Sequence, residues 1–332
     1  MNPEYWGDYK YETVENVGAP AMIESHEMTL TRVNKSRYKI DSETEAGKFS
    51  VTLDEKTWST FNLGAISLVD KQGTAHIFTG GSTDLEYVYR TQKTAGGKVV
   101  WSGGNHGNEV LVSLKFYDAE TEQEIVLDKD GASAKVNKLH VIEKTKLLFK
   151  DDADGDGYGY RDKNKETYTE DDVYAEVTRK YTFVGPQFKL NVDYKYEKDT
   201  YYQLSYTCMF PIEKKYGLYA DMFDKDGNKV STIETKKVGS PNYDGPMNSG
   251  NAATRAVMYS TTYPQYKFDV QVTTHKDSLE NQKNSFKTAF WDMNTTSNKL
   301  YLSKYDTNSS TKVAAGSEFH TECIWTFVYD AQ

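Results

Sequence analysis

Apolar and polar residues alternate with a period of two along most of the chain, as in KFSVTL (48–53), LEYVYR (85–90), EVLVSLKFY (109–117) and KLHVIEKTKLLF (138–149). The same alternation continues through VYAEVTRKYTF (173–183), FKLNVDYKYE (188–197), YYQLSYTCMF (201–210), YKFDVQV (266–272) and CIWTFVY (323–329). In an extended chain successive side chains point to opposite faces, so each stretch reads as a strand with one face buried. Between them, DKQG (70–73), DKDG (128–131) and DKDGN (224–228) supply the Asp side chains and the glycines that turns require. No window of a dozen residues carries an apolar stripe of helical period, and KDSLENQKNSF (276–286) predicts a short helical turn at most.

Roughly eighteen short strands of this kind suit two sheets packed face to face. The pattern predicts an all-β fold, a large antiparallel two-sheet β-sandwich of jelly-roll or supersandwich type with little helix. It is read as one domain over 1–332, the alternative being a split near 150–172, where FKDDADGDGYGYRDKNKETYTEDD (149–172) is either a linker or a long hairpin loop. A second long loop is expected at VGSPNYDGPMNSGNAAT (238–254).

The rhythm of VTRKYTFVGPQFKLNVDYKYEKDTYYQLSYTCMFPI (177–212), two long paired strands followed by a third, resembles the central region of galactose-mutarotase-like sandwiches. Sugar epimerases and the sandwich domains of several polysaccharide lyases share that fold. The pattern also resembles the sugar-targeting β-rich modules on tails of phages that infect Gram-positive bacteria. The resemblance covers about 150 residues of strand pattern and implies a carbohydrate partner.

Charge narrows the partners further. With 40 basic against 49 acidic residues, a net charge of -9 and no basic cluster, nothing favours nucleic acid. No apolar run approaches the roughly 18 residues that span a bilayer, so membrane insertion is not expected. The opening MNPEYWGDYK lacks the layout of a signal peptide, which leaves a chain not exported by that route or a mature fragment behind an added Met. Cys208 and Cys323 leave one bridge open but form no disulfide framework, and each reads most simply as a small core residue. The 26 tyrosines fit pleated surfaces and also suit stacking on sugar rings.

Candidate chemistry concentrates in WSGGNHGNEV (101–110). Its GGNHGNE core resembles the GGxHGxE zinc signature of the aspartoacylase and carboxypeptidase superfamily, which implies His106 and Glu109 as ligands. There the motif opens a helix, whereas here Glu109 runs into an alternating strand and a third ligand is missing, so zinc is not expected. The stretch NHG (105–107) also echoes the Asn-His-x-His-Gly-Gly stretch of sugar mutarotases, without its second His. Read as a sugar-facing loop, it offers Trp101 for stacking, with Asn105 and Arg90 as further binding groups.

If the protein were a lyase acting on an acidic glycan, His106 would be the base, Tyr181 the acid, and Arg179 or Arg90 the neutraliser of the uronate carboxylate, with Glu109 beside them. The plainer alternative is that His106 and Glu109 only shape a turn. Asp152, Asp154 and Asp156, followed by Gly157, have the spacing of a calcium loop, although Lys163 stands where an EF-hand would place its Glu. Calcium there would be structural. His26, His76 and His320 read as strand residues, and His140 and Glu143, three apart on one strand, should face opposite sides.

These readings converge on a protein that acts on a cell-surface or extracellular polysaccharide, extracellular or virion-associated, with β-elimination as the lyase reading. The alternative is a non-catalytic carbohydrate- or receptor-binding module. Oligomeric state is left open.

Overall fold

The computed structural model describes residues 15–79, 84–150, 159–235, 240–246, 253–273 and 287–331. Among these residues there are twenty-two strands and no helix, as the period-two alternation predicts. They form three antiparallel sheets.

A ten-stranded sheet makes one layer of the sandwich. Its order is β16 (Lys229–Glu234), β15 (Tyr219–Phe223), β18 (Arg255–Tyr259), β19 (Tyr266–Val272), β22 (Glu318–Tyr329), β13 (Gln187–Tyr196), β12 (Val173–Val184), β11 (Leu139–Leu148), β8 (Glu109–Asp118) and β9 (Gln123–Ile125). Two six-stranded sheets make the other layer. The first runs β10 (Ser133–Val136), β1 (Met28–Asn34), β2 (Arg37–Thr44), β3 (Gly47–Glu55), β4 (Phe61–Asp70) and β5 (Ala75–Ile77). The second runs β17 (Ser240–Pro246), β20 (Lys287–Asp292), β21 (Ser297–Val313), β14 (Thr200–Glu213), β6 (Tyr87–Gln92) and β7 (Val99–Ser102).

Both six-stranded sheets pack on the same face of the ten-stranded one. Phe49 of β3 stacks on Phe327 of β22 with ring centroids 5.2 Å apart, and Tyr87 of β6 meets Tyr194 of β13 edge-on at 5.6 Å. One apolar cluster runs through all three sheets, from Met28 to Phe327. Removing that surface from water is the main force holding the layers together. The facing layer is thus two sheets where the sequence pattern suggests one. At the seam, carboxylates replace part of a backbone ladder: Leu63 N donates to Glu86 Oε1 at 2.7 Å and Phe61 N to Glu143 Oε1 at 2.8 Å.

The stretch 149–172 connects β11 to β12, which pair from Leu139 opposite Phe183 to Leu148 opposite Val173. Residues 238–254, expected as loop, include strand β17, paired with β20 at the sheet edge. An edge strand tolerates Pro241 and Pro246 because a missing N–H there breaks no interior ladder. The helical candidate 276–286 and the calcium residues Asp152, Asp154 and Asp156 lie outside the described residues.

Candidate functional site

In β6 the core takes Tyr87 and Tyr89, so the alternate residues Val88 and Arg90 face out of the sandwich. Register carries that outer face across the sheet, since Trp101 of β7 pairs with Arg90 and Tyr206 of β14 pairs with Val88. The loop 103–108 after β7 folds back over the outer face, closed by Gly103 N to Gly107 O at 3.0 Å and by His106 N to Gly103 O at 3.0 Å. Glycine at 104 is needed for contact as well as for its φ of 54°, because a Cβ there would lie 2.4 Å from Asp84 Oδ1 and 2.9 Å from Val88.

Asp84 anchors this loop. Its Oδ1 accepts Asn105 N at 2.5 Å, and its Oδ2 lies 3.4 Å from the buried Lys299 ammonium. Two cations hold Asn105 from the other side: Lys56 Nζ donates to its Oδ1 at 2.5 Å and Arg161 Nη2 to its carbonyl at 3.0 Å. His106 stacks on Trp101 with centroids 4.8 Å apart and planes 23° off parallel, and the Arg90 guanidinium lies 5.5 Å from the same ring. Tyr301 packs against Tyr206 at 4.9 Å, with the Lys299 ammonium 5.3 Å from its ring centre. The result is a half-buried face of aromatic rings, cations and amides over one buried carboxylate.

Burial pushes the His106 pKa below the ordinary imidazole value; Lys299 and Arg161 push the same way and Asp84 opposes them. The ring is therefore neutral at neutral pH, with both a donor and an acceptor nitrogen. Burial also lowers the Lys299 pKa against the pull of Asp84, and it raises that of Tyr301, where Asp84 adds to the effect.

Glu109, Arg179 and Tyr181 occupy a different environment. Arg179 and Tyr181 share the inward phase of β12 with Val177 and Phe183 and are fully buried, as is Glu109 at the start of β8. Arg179 Nη2 contacts Glu143 Oε2 and lies 3.9 Å from Glu109 Oε1. Glu109 Oε1 also accepts from the Tyr87 hydroxyl and, at 2.8 Å, from Thr145, while Tyr181 donates to Glu86 at 2.9 Å. The structure thus gathers His106, Asn105, Trp101 and Arg90 on the outer face, and Glu109, Arg179 and Tyr181 in the core.

His140 and Glu143 do fall on opposite sides of β11. Glu143 joins the core cluster and His140 sits outside, in register with Tyr117. His320 is bonded to Asp193 at 2.6 Å. Among the described residues no three His, Cys, Asp or Glu side chains gather as metal ligands.

Sequence reasoning missed Asp84, Lys299, Tyr206 and Tyr301. Asp84 and Lys299 stand 215 residues apart, and no local spacing announces their meeting. A weak signal existed in NKLYL, whose outward residues Lys299 and Tyr301 are cationic and aromatic, and in LEYVYR, whose outward Arg90 is cationic.

No protein-family model matches the chain, and neither does any curated protein sequence. A galactose 1-epimerase from Lactobacillus acidophilus NCFM superposes loosely, at a TM-score of 0.41 and 10% identity over 93% of this chain and 100% of that one. A GH36 alpha-galactosidase from Geobacillus stearothermophilus superposes at a TM-score of 0.51 and 8% identity, over 88% of this chain and 41% of that one. The chain spans about two-fifths of the length of such alpha-galactosidases, and what it shares with that one is a fold.

Proposed function

We propose that the outer face of the second six-stranded sheet binds a saccharide. The observation that carries this reading is the convergence of Trp101, His106, Arg90 and Asn105 with Tyr206, Tyr301 and Lys299 on one half-buried face. Sugars present apolar C–H faces and a ring of hydroxyls, which aromatic rings and fixed donors and acceptors match. The fold shared with an alpha-galactosidase adds support of a general kind.

A polysaccharide met at a cell or virion surface suits a face that is open rather than enclosed. Binding without chemistry is the simpler form of the proposal, because Arg179 and Tyr181 lie in the core and leave Arg90 as the uronate neutraliser of an elimination at His106.

A glycan array followed by calorimetry tests the reading. Wild type should bind at least one glycan, and His106→Ala or Arg90→Met should weaken that binding tenfold or more. No binding across neutral and acidic glycans overturns it. Ultraviolet absorbance of unsaturated uronate products, followed on the same glycans, separates elimination from binding alone.

A further inference from the structure

The opposite face of the molecule carries a second pocket, built from different residues. Outward-facing side chains of the ten-stranded sheet meet a segment, residues 15–22, that lies across them and turns at 17–19. Asn16 ties the segment down by donating to Gln271 Oε1 and to the Val272 carbonyl, each at 3.1 Å. Further along, Gln187 Nε2 donates to the Ala21 carbonyl at 3.2 Å, and Gln187 Oε1 accepts from Ile23 N at 2.9 Å. Between the segment and the sheet lies a pocket of about 430 Å³. Lys189, Gln271, Thr273, Glu322 and Ile324 form its floor, and Ala19, Pro20 and Met22 stand in its wall.

The floor is charged yet locally balanced. The Glu322 carboxylate accepts from Lys189 at 2.8 Å, from Asn191 at 2.5 Å and from Thr273 at 2.5 Å. On the floor a cation meets the Lys189 ammonium and an anion meets Glu322, so neither gains a net attraction there. The further carboxylate in the lining, Glu15, is exposed at the rim, where solvent screens it. A neutral ligand meets ammonium N–H donors, carboxylate lone pairs and an amide, fixed side by side. Ile324 lies in register between Lys189 and Gln271, placing an apolar patch among those groups.

We infer that this pocket binds a small neutral polyhydroxylated molecule of mono- or disaccharide size. A hydroxyl is both donor and acceptor, so neighbouring hydroxyls engage a held carboxylate–ammonium pair without displacing it. The volume lies within the range of small-molecule sites. The site stands independently of the proposed saccharide face, on the other outer side of the sandwich.

Methionine-methyl NMR tests this, because Met22 lies in the pocket wall. Protein carrying ¹³C-methyl methionine and ¹⁹F-tryptophan is titrated with glucose, galactose, maltose and lactose, with sodium acetate and sulfate as charged controls. The Met22 methyl, assigned through Met22→Leu, should shift saturably with at least one sugar and with neither salt. Lys189→Leu should weaken that response tenfold or more, with Gln271→Leu as a second variant should Lys189→Leu melt early. His106→Ala should leave it intact, and the Trp101 fluorine signal reports the other face separately. A Met22 methyl that no sugar moves, that the salts move, or that responds equally in both floor variants overturns the inference.

Discussion

His106 and Glu109 are three residues apart, yet one belongs to a half-buried outer face and the other to a sealed core. The outer cluster sets Asp84 against Lys299, with His106, Asn105 and Arg90 around them. The inner one sets Glu109 and Glu143 beside Arg179, with Tyr87 bonded to Glu109 and Tyr181 to Glu86. Both combine carboxylate, cation and tyrosine, but the inner groups bind one another and the seam between two sheets. The difference teaches that the residue types of a catalytic site identify no site until it is known which phase of the strand carries them.

The comparison breaks most readily at Arg179. Arg179→Met leaves buried carboxylates facing each other without their cation and should cost about 3–5 kcal/mol in urea unfolding. A loss below about 1 kcal/mol would mean that the inner cluster is not a structural unit. Glu109→Gln keeps the shape but weakens the bonds from Tyr87 and Thr145, and about 1–3 kcal/mol is expected by the same measurement.

A third histidine sharpens the contrast. Burial, with Lys180 adding to it, lowers the His140 pKa to about 3. An unfolded imidazole titrates near 6.5, so between that pH and about 3 the unfolded chain holds the extra proton. Stability should therefore be unaffected by His140 above about pH 6.5 and fall on acidification by up to about 1.4 kcal/mol per pH unit. His140→Gln, measured in unfolding series across that range, should flatten the slope.

The smallest effect on stability is expected at His106. His106→Ala removes one half-buried stacked ring and should lower unfolding free energy by about 1 kcal/mol while weakening glycan binding tenfold or more. A large loss of stability with unchanged binding would move His106 to the structural side of the comparison.

Much of this fold is legible in the alternation of the strands. The phase that puts Val177 and Phe183 in the core also carries Arg179 and Tyr181 inward, although their chemistry suggested a cleft. Period two separates the faces of a strand but does not say which face meets solvent, and a buried ion pair shows only when its partner strand is known. The loop 101–109 is legible because its glycines and histidine are local. Asp84 and Lys299 are not, because β6 and β21 meet only through β14.

The position of β22 bears on how the chain reaches this structure. It lies between β13 and β19, in the interior of the ten-stranded sheet, and pairs with both. Until residues 318–329 arrive, the sheet is two separate ribbons with facing open edges. Pairing across so long a stretch of chain closes late and slowly, and the waiting edges are sticky. A nascent chain halted before β22 should accordingly aggregate or recruit a chaperone, whereas one carried past Tyr329 can zip both ribbons together in a single step.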